Sequence, residues 1–232
     1  MKEFASLEIN FDSNTLQNEL NSLISDEDWL MHFNTSYFDG EWKGINLITS
    51  SNNPLSLAPD KTTDEAQSVF DLDLIPQTKA LLEKFECRIL SARYLKLRSG
   101  SSIKTHVDPD IGYWNNLVRI HLPISTNAST WFTINNVKLQ MPINQTWYAD
   151  FSKPHSVVNE GDTDRIHLVL DLEVNAWLSE LFIQRGILQK DEKEPDPIDL
   201  MSIEERKAMI ESLKSLNTEV SLNLAKDLES RF

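Results

Sequence analysis

The stretch that decides the fold runs from His106-Val107-Asp108, through Pro154-His155-Ser156, to Arg165-Ile166-His167-Leu168-Val169-Leu170-Asp171. Two imidazoles and one carboxylate could hold a ferrous ion on one face and leave the opposite face open, since imidazole suits iron and a carboxylate offsets part of its charge. The H-x-D spacing predicts that His106 and Asp108 leave one strand face together. His155 must then come from a distant strand that folds back beside the first. If an acid and dioxygen are to bind the same metal, only three protein ligands fit, and His106, Asp108 and His155 supply them. Arg165 follows His155 by ten residues. It is the candidate cation for the far carboxylate of a keto acid such as 2-oxoglutarate, because an unpaired buried carboxylate is costly and a guanidinium binds one bidentately. Arg165, His167, Val169 and Asp171 share one strand face, with Ile166, Leu168, Leu170 and Leu172 on the other. That pattern fits a polar mouth over an apolar layer.

Working outward, Ile89–Leu97 and Leu117–Ile124 alternate as strands do, and shorter strands are expected at Thr130–Ile134, Val137–Met141, Thr146–Phe151 and His155–Asn159. Asn135-Asn136 predicts a hairpin turn. Many short strands with regular turns point to a mainly β (α+β) chain. A double-stranded β-helix (a jelly roll, cupin-like) is the version that brings distant strand segments to one mouth. Arg119 and His121 form a second polar pair opposite Ile120, Leu122 and Ile124. They either bind the near carboxylate of the keto acid, orient a metal ligand, or only pair strands.

Upstream, Leu7–Phe11 alternates like a half-buried strand. Asp12–Ser22 predicts a helix capped by Asp12 or Ser13, with Leu16, Leu20 and Leu23 on one face. Another helical turn is expected at Asp26–Trp29, a turn at Phe38–Glu41, a strand at Trp42–Ile48, a loop at Ser50–Thr63 and a helix at Ile75–Lys84 with Pro76 in its first turn. His32, among Trp29, Leu30 and Phe33, reads as structural. Downstream, Asn175–Ile183 predicts a helix and Asp191–Pro197 a linker. Ser202 and Glu205 form a capping box for a helix carrying Ile203, Ile210, Leu213 and Leu216. A last helix is expected at 220–232. These segments divide the chain into an oxygenase-like β domain with N-terminal helices at 1–183 and a linker with a C-terminal helical appendage at 184–232. The appendage could pack on the barrel, act as a lid, or form a homodimer hairpin.

The formal net charge of −14 over 232 residues argues against nucleic acid or an anionic membrane as partner. A single cysteine, Cys87, excludes an intrachain disulfide, reads as a buried strand residue, and fits the cytoplasm. No run approaches the ~20 apolar residues of a membrane span, and the first residues show no cleavage pattern, so no signal peptide is expected.

The linked segments resemble the aspartyl/asparaginyl β-hydroxylase family, which includes bacterial cis-proline hydroxylases. The matching text is Arg93-Tyr94-Leu95-Lys96-Leu97, Ile103-Lys104-Thr105-His106-Val107-Asp108, Arg119-Ile120-His121-Leu122-Pro123-Ile124, Trp147-Tyr148-Ala149-Asp150-Phe151, Pro154-His155-Ser156-Val157-Val158-Asn159 and Arg165–Asp171, with weaker support from Trp42-Lys43-Gly44. The likeness spans residues 90–172 and leaves the tail after Asn175 unmatched. It implies Fe(II), 2-oxoglutarate and dioxygen, with metal at His106, Asp108 and His155, and 2-oxoglutarate at Arg165 with Arg119 and His121. Hydroxylation of an unactivated C–H of a small, proline-like amino acid or of an Asp/Asn-type residue in a peptide is then expected. Asp108 favours the free amino acid, because the animal peptide hydroxylases of the family lack the metal carboxylate. Trp42, Arg93, Tyr113 and Trp114 could line a substrate pocket. The rivals are a non-catalytic cupin-like protein that binds a metal or small acid, and a zinc hydrolase, which would leave Arg165 without a role.

Overall fold

The structure, a computed structural model, describes residues 1–53, 55–57 and 65–230. The chain divides into two compact units, Met1–Lys190 and Asp191–Phe232. In the first, the strands are β1 Phe4–Ser6, β2 Leu30–Met31, β3 Phe38–Asp39, β4 Trp42–Thr49, β5 Gln67–Ser68, β6 Ile89–Leu97, β7 Ser102–His106, β8 Leu117–Ser125, β9 Thr130–Ile134, β10 Val137–Leu139, β11 Trp147–Ala149, β12 His155–Asn159 and β13 Arg165–Glu173. The helices are α1 Ser13–Leu23, α2 Pro76–Leu82 and α3 Ala176–Gln184. The larger antiparallel sheet runs β1-β11-β8-β13-β6-β4-β2, with β5 beside β4, and the smaller runs β10-β9-β12-β7-β3. This is the expected jelly roll with N-terminal helices.

Alternation explains the layering. The even-numbered apolar residues of β13, Leu168, Leu170 and Leu172, join Ile120 and Leu122 of β8 and Tyr94 of β6 on the outer face of the larger sheet. There they pack under Leu16 and Leu20 of α1, Leu81 and Leu82 of α2, and Leu178 and Phe182 of α3. The odd-numbered positions face inward. Val169 meets Phe132 and Ile134 of β9 and Val157 of β12 in a second core between the sheets. Both faces of β13 are therefore covered, which is why its residues from His167 to Leu172 are all buried.

Several expectations are corrected. The first strand lies at Phe4–Ser6, not Leu7–Phe11, because Glu8 takes φ +55° and cannot continue an extended ladder. Leu7 is fully buried all the same, packed in the helix layer. Cys87 lies in a bend before β6, half-buried, with burial pushing its thiol up to about 12. The turn expected at Phe38–Glu41 narrows to Gly40 at φ +88°, since Phe38 and Asp39 pair with Ile103 and Ser102. Of the loop expected at Ser50–Thr63, residues 54 and 58–63 lie outside the described residues.

Other expectations hold. Asp12 caps α1, accepting from Asn14 N–H at 3.0 Å. Asn135 and Asn136, at φ +45° and +67°, turn the chain between β9 and β10, as a mirror-image hairpin turn requires. Asn175 caps α3 through its side-chain oxygen and Leu178 N–H.

The second unit holds α4 Ile203–Leu216 and α5 Glu219–Ser230. The capping box forms, with Ser202 N–H donating to Glu205 and Glu205 N–H to Ser202 Oγ. Its small core is Ile210, Ala225 and Leu228, with Leu213 beside them. Ile203 and Leu216, expected on the packed face, are exposed.

Candidate active site

The smaller sheet carries the metal-ligand candidates. His155 of β12 pairs directly with His106 of β7, but Val157 pairs with Ile103. Two residues on β12 thus span three on β7, which places a bulge at Lys104-Thr105. The extra residue puts Ile103 and His106 on the same inward face, and both line the cavity between the sheets. β7 ends at His106, so Asp108 does not leave a shared strand face as its spacing predicted. It sits in the segment that follows, held by its backbone N–H to Phe151 O at 3.0 Å. Convergence survives the change: one ligand atom from each of His106, Asp108 and His155 lies within 4.8 Å of the others.

The protonation of these groups suits a cation. His106 Nδ1 lies 2.8 Å from Lys104 O, and His155 Nδ1 lies 3.0 Å from Lys153 O. A carbonyl only accepts, so each Nδ1 carries a proton, and Nε2 is the nitrogen whose lone pair is left for a cation in the neutral ring. Burial, with the neighbouring His106, pushes the His155 pKa down to about 4, so it is neutral at pH 7. Asp108 Oδ2 is taken by Arg119 Nη1 at 2.5 Å, while Oδ1 lies 3.7 Å from His106 Nε2. Two imidazoles with Nε2 turned to the cluster and one carboxylate oxygen fit a divalent transition metal.

The larger sheet supplies the cations. Arg119 Nε and Nη2 donate to Asp171 at 2.7 and 3.2 Å. Arg93 Nη1 meets the same carboxylate at 3.0 Å and Ser91 Oγ at 2.6 Å. Burial works to raise the Asp171 pKa, but Arg119 and Arg93 overcome it and hold the carboxyl well below its usual range.

Arg165 is different. It is 2 % exposed, stacks over Phe132 at 4.9 Å, and has no carboxylate partner among the described residues. Burial pushes its pKa down to about 9, which still leaves it charged at neutral pH. Its Nη2 lies 3.4 Å from His121 Nδ1, and His167 Nδ1 lies 3.1 Å from that same nitrogen. The guanidinium can only donate, so His121 Nδ1 accepts and the ring proton sits on Nε2, a buried N–H without a partner among the described residues.

The six predicted site residues, His106, Asp108, His155, Arg165, Arg119 and His121, all line one cavity of about 110 Å³. Of the suggested substrate-pocket residues, Trp42 and Arg93 line it. Tyr113 instead packs on Phe182, with its hydroxyl 2.8 Å from Ser179 Oγ, and Trp114 packs against the same helix-layer core. His32, read as structural, stands in the cavity wall, stacked on Trp42 at 3.6 Å and 10°. Tyr37, whose ring lies 5.0 Å from that of His106, was not anticipated. It comes from a single 3-10 turn, Thr35–Tyr37, too short to show periodicity, and no local signal marks it.

Four histidines have depressed pKa values. Burial, with Arg93 and Arg119 nearby, pushes His32 down to about 3. Burial and Arg165 hold His121 and His167 well below 6.5, and His155 is the fourth. The folded chain therefore refuses protons that the unfolded chain accepts below pH ~6.5. These groups contribute stability that is fully present above that pH and lost as pH falls below it, by up to about 1.4 kcal/mol per pH unit for each histidine. Denaturant titrations of the metal-free protein should show a plateau above pH 7 and a steep decline below 6. A flat profile from pH 7 to 5 contradicts the assignment.

Residues 10–174 match the profile of the aspartyl/asparaginyl β-hydroxylase family. Over 183 residues the chain is 25% identical to the L-proline cis-4-hydroxylase of Rhizobium meliloti (strain 1021). That match covers 73% of this chain and 60% of the relative, so the chain spans about three-fifths of the relative's length. Among solved structures, it is similar to a prolyl hydroxylase from Trichoplax adhaerens in complex with a hypoxia inducible factor peptide fragment, at 12% identity and a TM-score of 0.47, over 74% of this chain and 83% of that one. A viral collagen prolyl hydroxylase from Paramecium Bursaria Chlorella virus-1 aligns at 7% identity and a TM-score of 0.46, over 75% and 97% of the two chains. The match to the family profile runs from the start of the N-terminal helices to the end of the last barrel strand and takes in every residue of the histidine–carboxylate–arginine cavity: the chain belongs to the aspartyl/asparaginyl β-hydroxylase family.

Proposed function

We propose that the protein is an Fe(II)- and 2-oxoglutarate-dependent oxygenase that hydroxylates an unactivated C–H bond of a small, proline-like amino acid. The observation that carries this reading is Arg165. A fully buried guanidinium without a counter-charge is expensive unless a ligand brings one, and this one shares a cavity with the two-histidine, one-carboxylate cluster. His106, Asp108 and His155 would hold the iron. Arg165 would hold the far carboxylate of 2-oxoglutarate, assisted by the free N–H of His121. Of the roles open to Arg119, orientation of Asp108 is favoured, because Nε, Nη1 and Nη2 are all engaged by Asp171 and Asp108. Bound there, iron and 2-oxoglutarate would supply dioxygen activation, with one oxygen atom ending in succinate, carbon dioxide released, and the other oxygen atom in the hydroxylated product.

The rest of the cavity wall points to an acid as substrate. The Trp42 indole N–H is buried without a partner among the described residues. His32 Nδ1 accepts from Asn34 N–H at 3.4 Å, so the other ring nitrogen carries its proton. Arg93 adds a guanidinium. These groups are all donors, which suits a carboxylate better than an amide or amine. The named activity of the Rhizobium relative is consistent with such a substrate. The apolar remainder of the wall, Leu95, Phe132 and Val157 among it, suits a hydrocarbon ring and excludes water. We place the reaction in the cytoplasm, where a lone thiol stays reduced. No helix among the described residues is long and apolar enough to cross a membrane.

Conversion of 2-oxoglutarate to succinate is the test. With Fe(II), turnover should rise on adding small cyclic amino acids and not on adding their amides. Trp42→Phe keeps the ring stack and removes the N–H, so KM for the acid should rise about tenfold or more, one charge-assisted hydrogen bond contributing roughly 1.5–3 kcal/mol. Equal stimulation by acids and amides overturns the substrate class. No stimulation by any member of a broad panel overturns the activity.

A further inference from the structure

Asp171 does not line the cavity, yet it holds the arginine that reaches the metal carboxylate. It is 2 % exposed, on the central strand β13, directly opposite Arg119 of β8 and Ser91 of β6. Its oxygens accept from Arg119 Nε and Nη2, from Arg93 Nη1, and from Ser91 Oγ at 3.1 Å. That leaves Arg119 Nη1, and this group reaches Asp108 Oδ2 at 2.5 Å.

Asp108 needs such a hold. It lies beyond the end of β7, where no strand ladder fixes the direction of its side chain, and the carboxylate is 27 % exposed. His106 and His155 are each fixed by a backbone carbonyl. The carboxylate is fixed by Arg119, and Arg119 by Asp171. Because Arg119 occupies Oδ2, the Oδ1 atom beside His106 is the one left for a cation. The network thereby decides which oxygen is offered as well as where it stands.

We propose that Asp171 is a positioning residue for the metal centre. It acts through Arg119 to present Asp108 as a ligand with one free oxygen, and so sets metal affinity and coordination from two residues away. This rests on the metal-centre reading above. Groups that hold a metal ligand from behind typically change affinity 10–100-fold when removed.

The test is an equilibrium titration of the whole protein with Co(II), followed by its visible ligand-field absorption. Asp171→Asn should weaken Co(II) binding about 10–100-fold and change the band shape. The discriminating step is a double-mutant cycle with Asp108→Ala. In the Asp108→Ala background Asp171→Asn should change the Co(II) dissociation constant less than about twofold, because the ligand it positions is gone. Should Asp171→Asn alone fail to fold, combining it with Arg93→Met removes one charge of each sign and carries the same cycle, referenced to Arg93→Met. Additive losses, or unchanged affinity and spectrum in Asp171→Asn, overturn the inference and leave the metal centre standing. Failure of the unsubstituted chain to bind Co(II) at all overturns both.

Discussion

Replacing Arg165 with methionine is expected to abolish 2-oxoglutarate binding and, in the ligand-free protein, to raise the melting temperature. The two effects have one cause. Arg93 and Arg119 share Asp171, and Arg119 also meets Asp108. Arg165 has only Phe132 beneath it and the accepting nitrogen of His121 beside it. Its charge is desolvated without compensation, and burial already presses its pKa down to about 9. Methionine fills much of the same volume without a charge, and exchanging buried ionic groups for apolar ones has stabilised other proteins by about 1–4 kcal/mol. For a chain of this size each kcal/mol corresponds to roughly 2–4 °C. Binding moves the other way. A bidentate guanidinium–carboxylate pair makes two charge-assisted hydrogen bonds of roughly 1.5–3 kcal/mol each, so affinity should fall by about 100-fold or more. Thermal melts with and without 2-oxoglutarate read both effects. Retained stabilisation by 2-oxoglutarate in Arg165→Met would remove the main support for the proposed activity. A lower melting temperature in the ligand-free variant would mean that the guanidinium is paired after all.

The second large effect is expected from His155→Ala. His155 pairs with His106 across β12 and β7, and its Nε2 is one of two imidazole nitrogens in the cluster. Losing a group that only supports a ligand costs about 10–100-fold in metal affinity, so losing the ligand itself should exceed that range. Succinate formation should become undetectable. The fold should persist, because the Val157 and Phe132 core beside it is untouched. Metal affinity and turnover near those of the unsubstituted protein would contradict the assigned ligand.

Much of this site is legible in the sequence because its residues lie on long alternating strands. The parity of Arg165, His167, Val169 and Asp171 against Ile166, Leu168, Leu170 and Leu172 is a period-two statement, and β13 keeps it over its length. Arg119 and His121 follow for the same reason on β8. Where the backbone departs from regularity, parity misleads. Asp108 falls past a strand end, and His106 faces inward only through a bulge that no residue type announces. Leu7–Phe11 alternates in composition, but Glu8 turns the chain out of the extended region. Tyr113 and Trp114 carry the aromatic character of a pocket and pack against the helix layer instead. His32 shows what local composition leaves out. Its apolar neighbours in sequence suggest a core role, while its stacking partner, Trp42, is ten residues away on the next long strand. Pairings of that kind depend on which strands become neighbours, and local composition does not encode that.

The bulge at Lys104-Thr105 also bears on how such a barrel changes its trade over evolutionary time. With one of those two residues deleted, plain alternation would return, and the imidazole, then two positions from Ile103, would still face the interior opposite His155. With both deleted, it would stand next to Ile103 and swing to the outside of the smaller sheet. The strand pair thus tolerates a one-residue loss without giving up this imidazole, and it takes the loss of both to turn a catalyst into an inert carrier of small acids while the hydrophobic interior keeps its register.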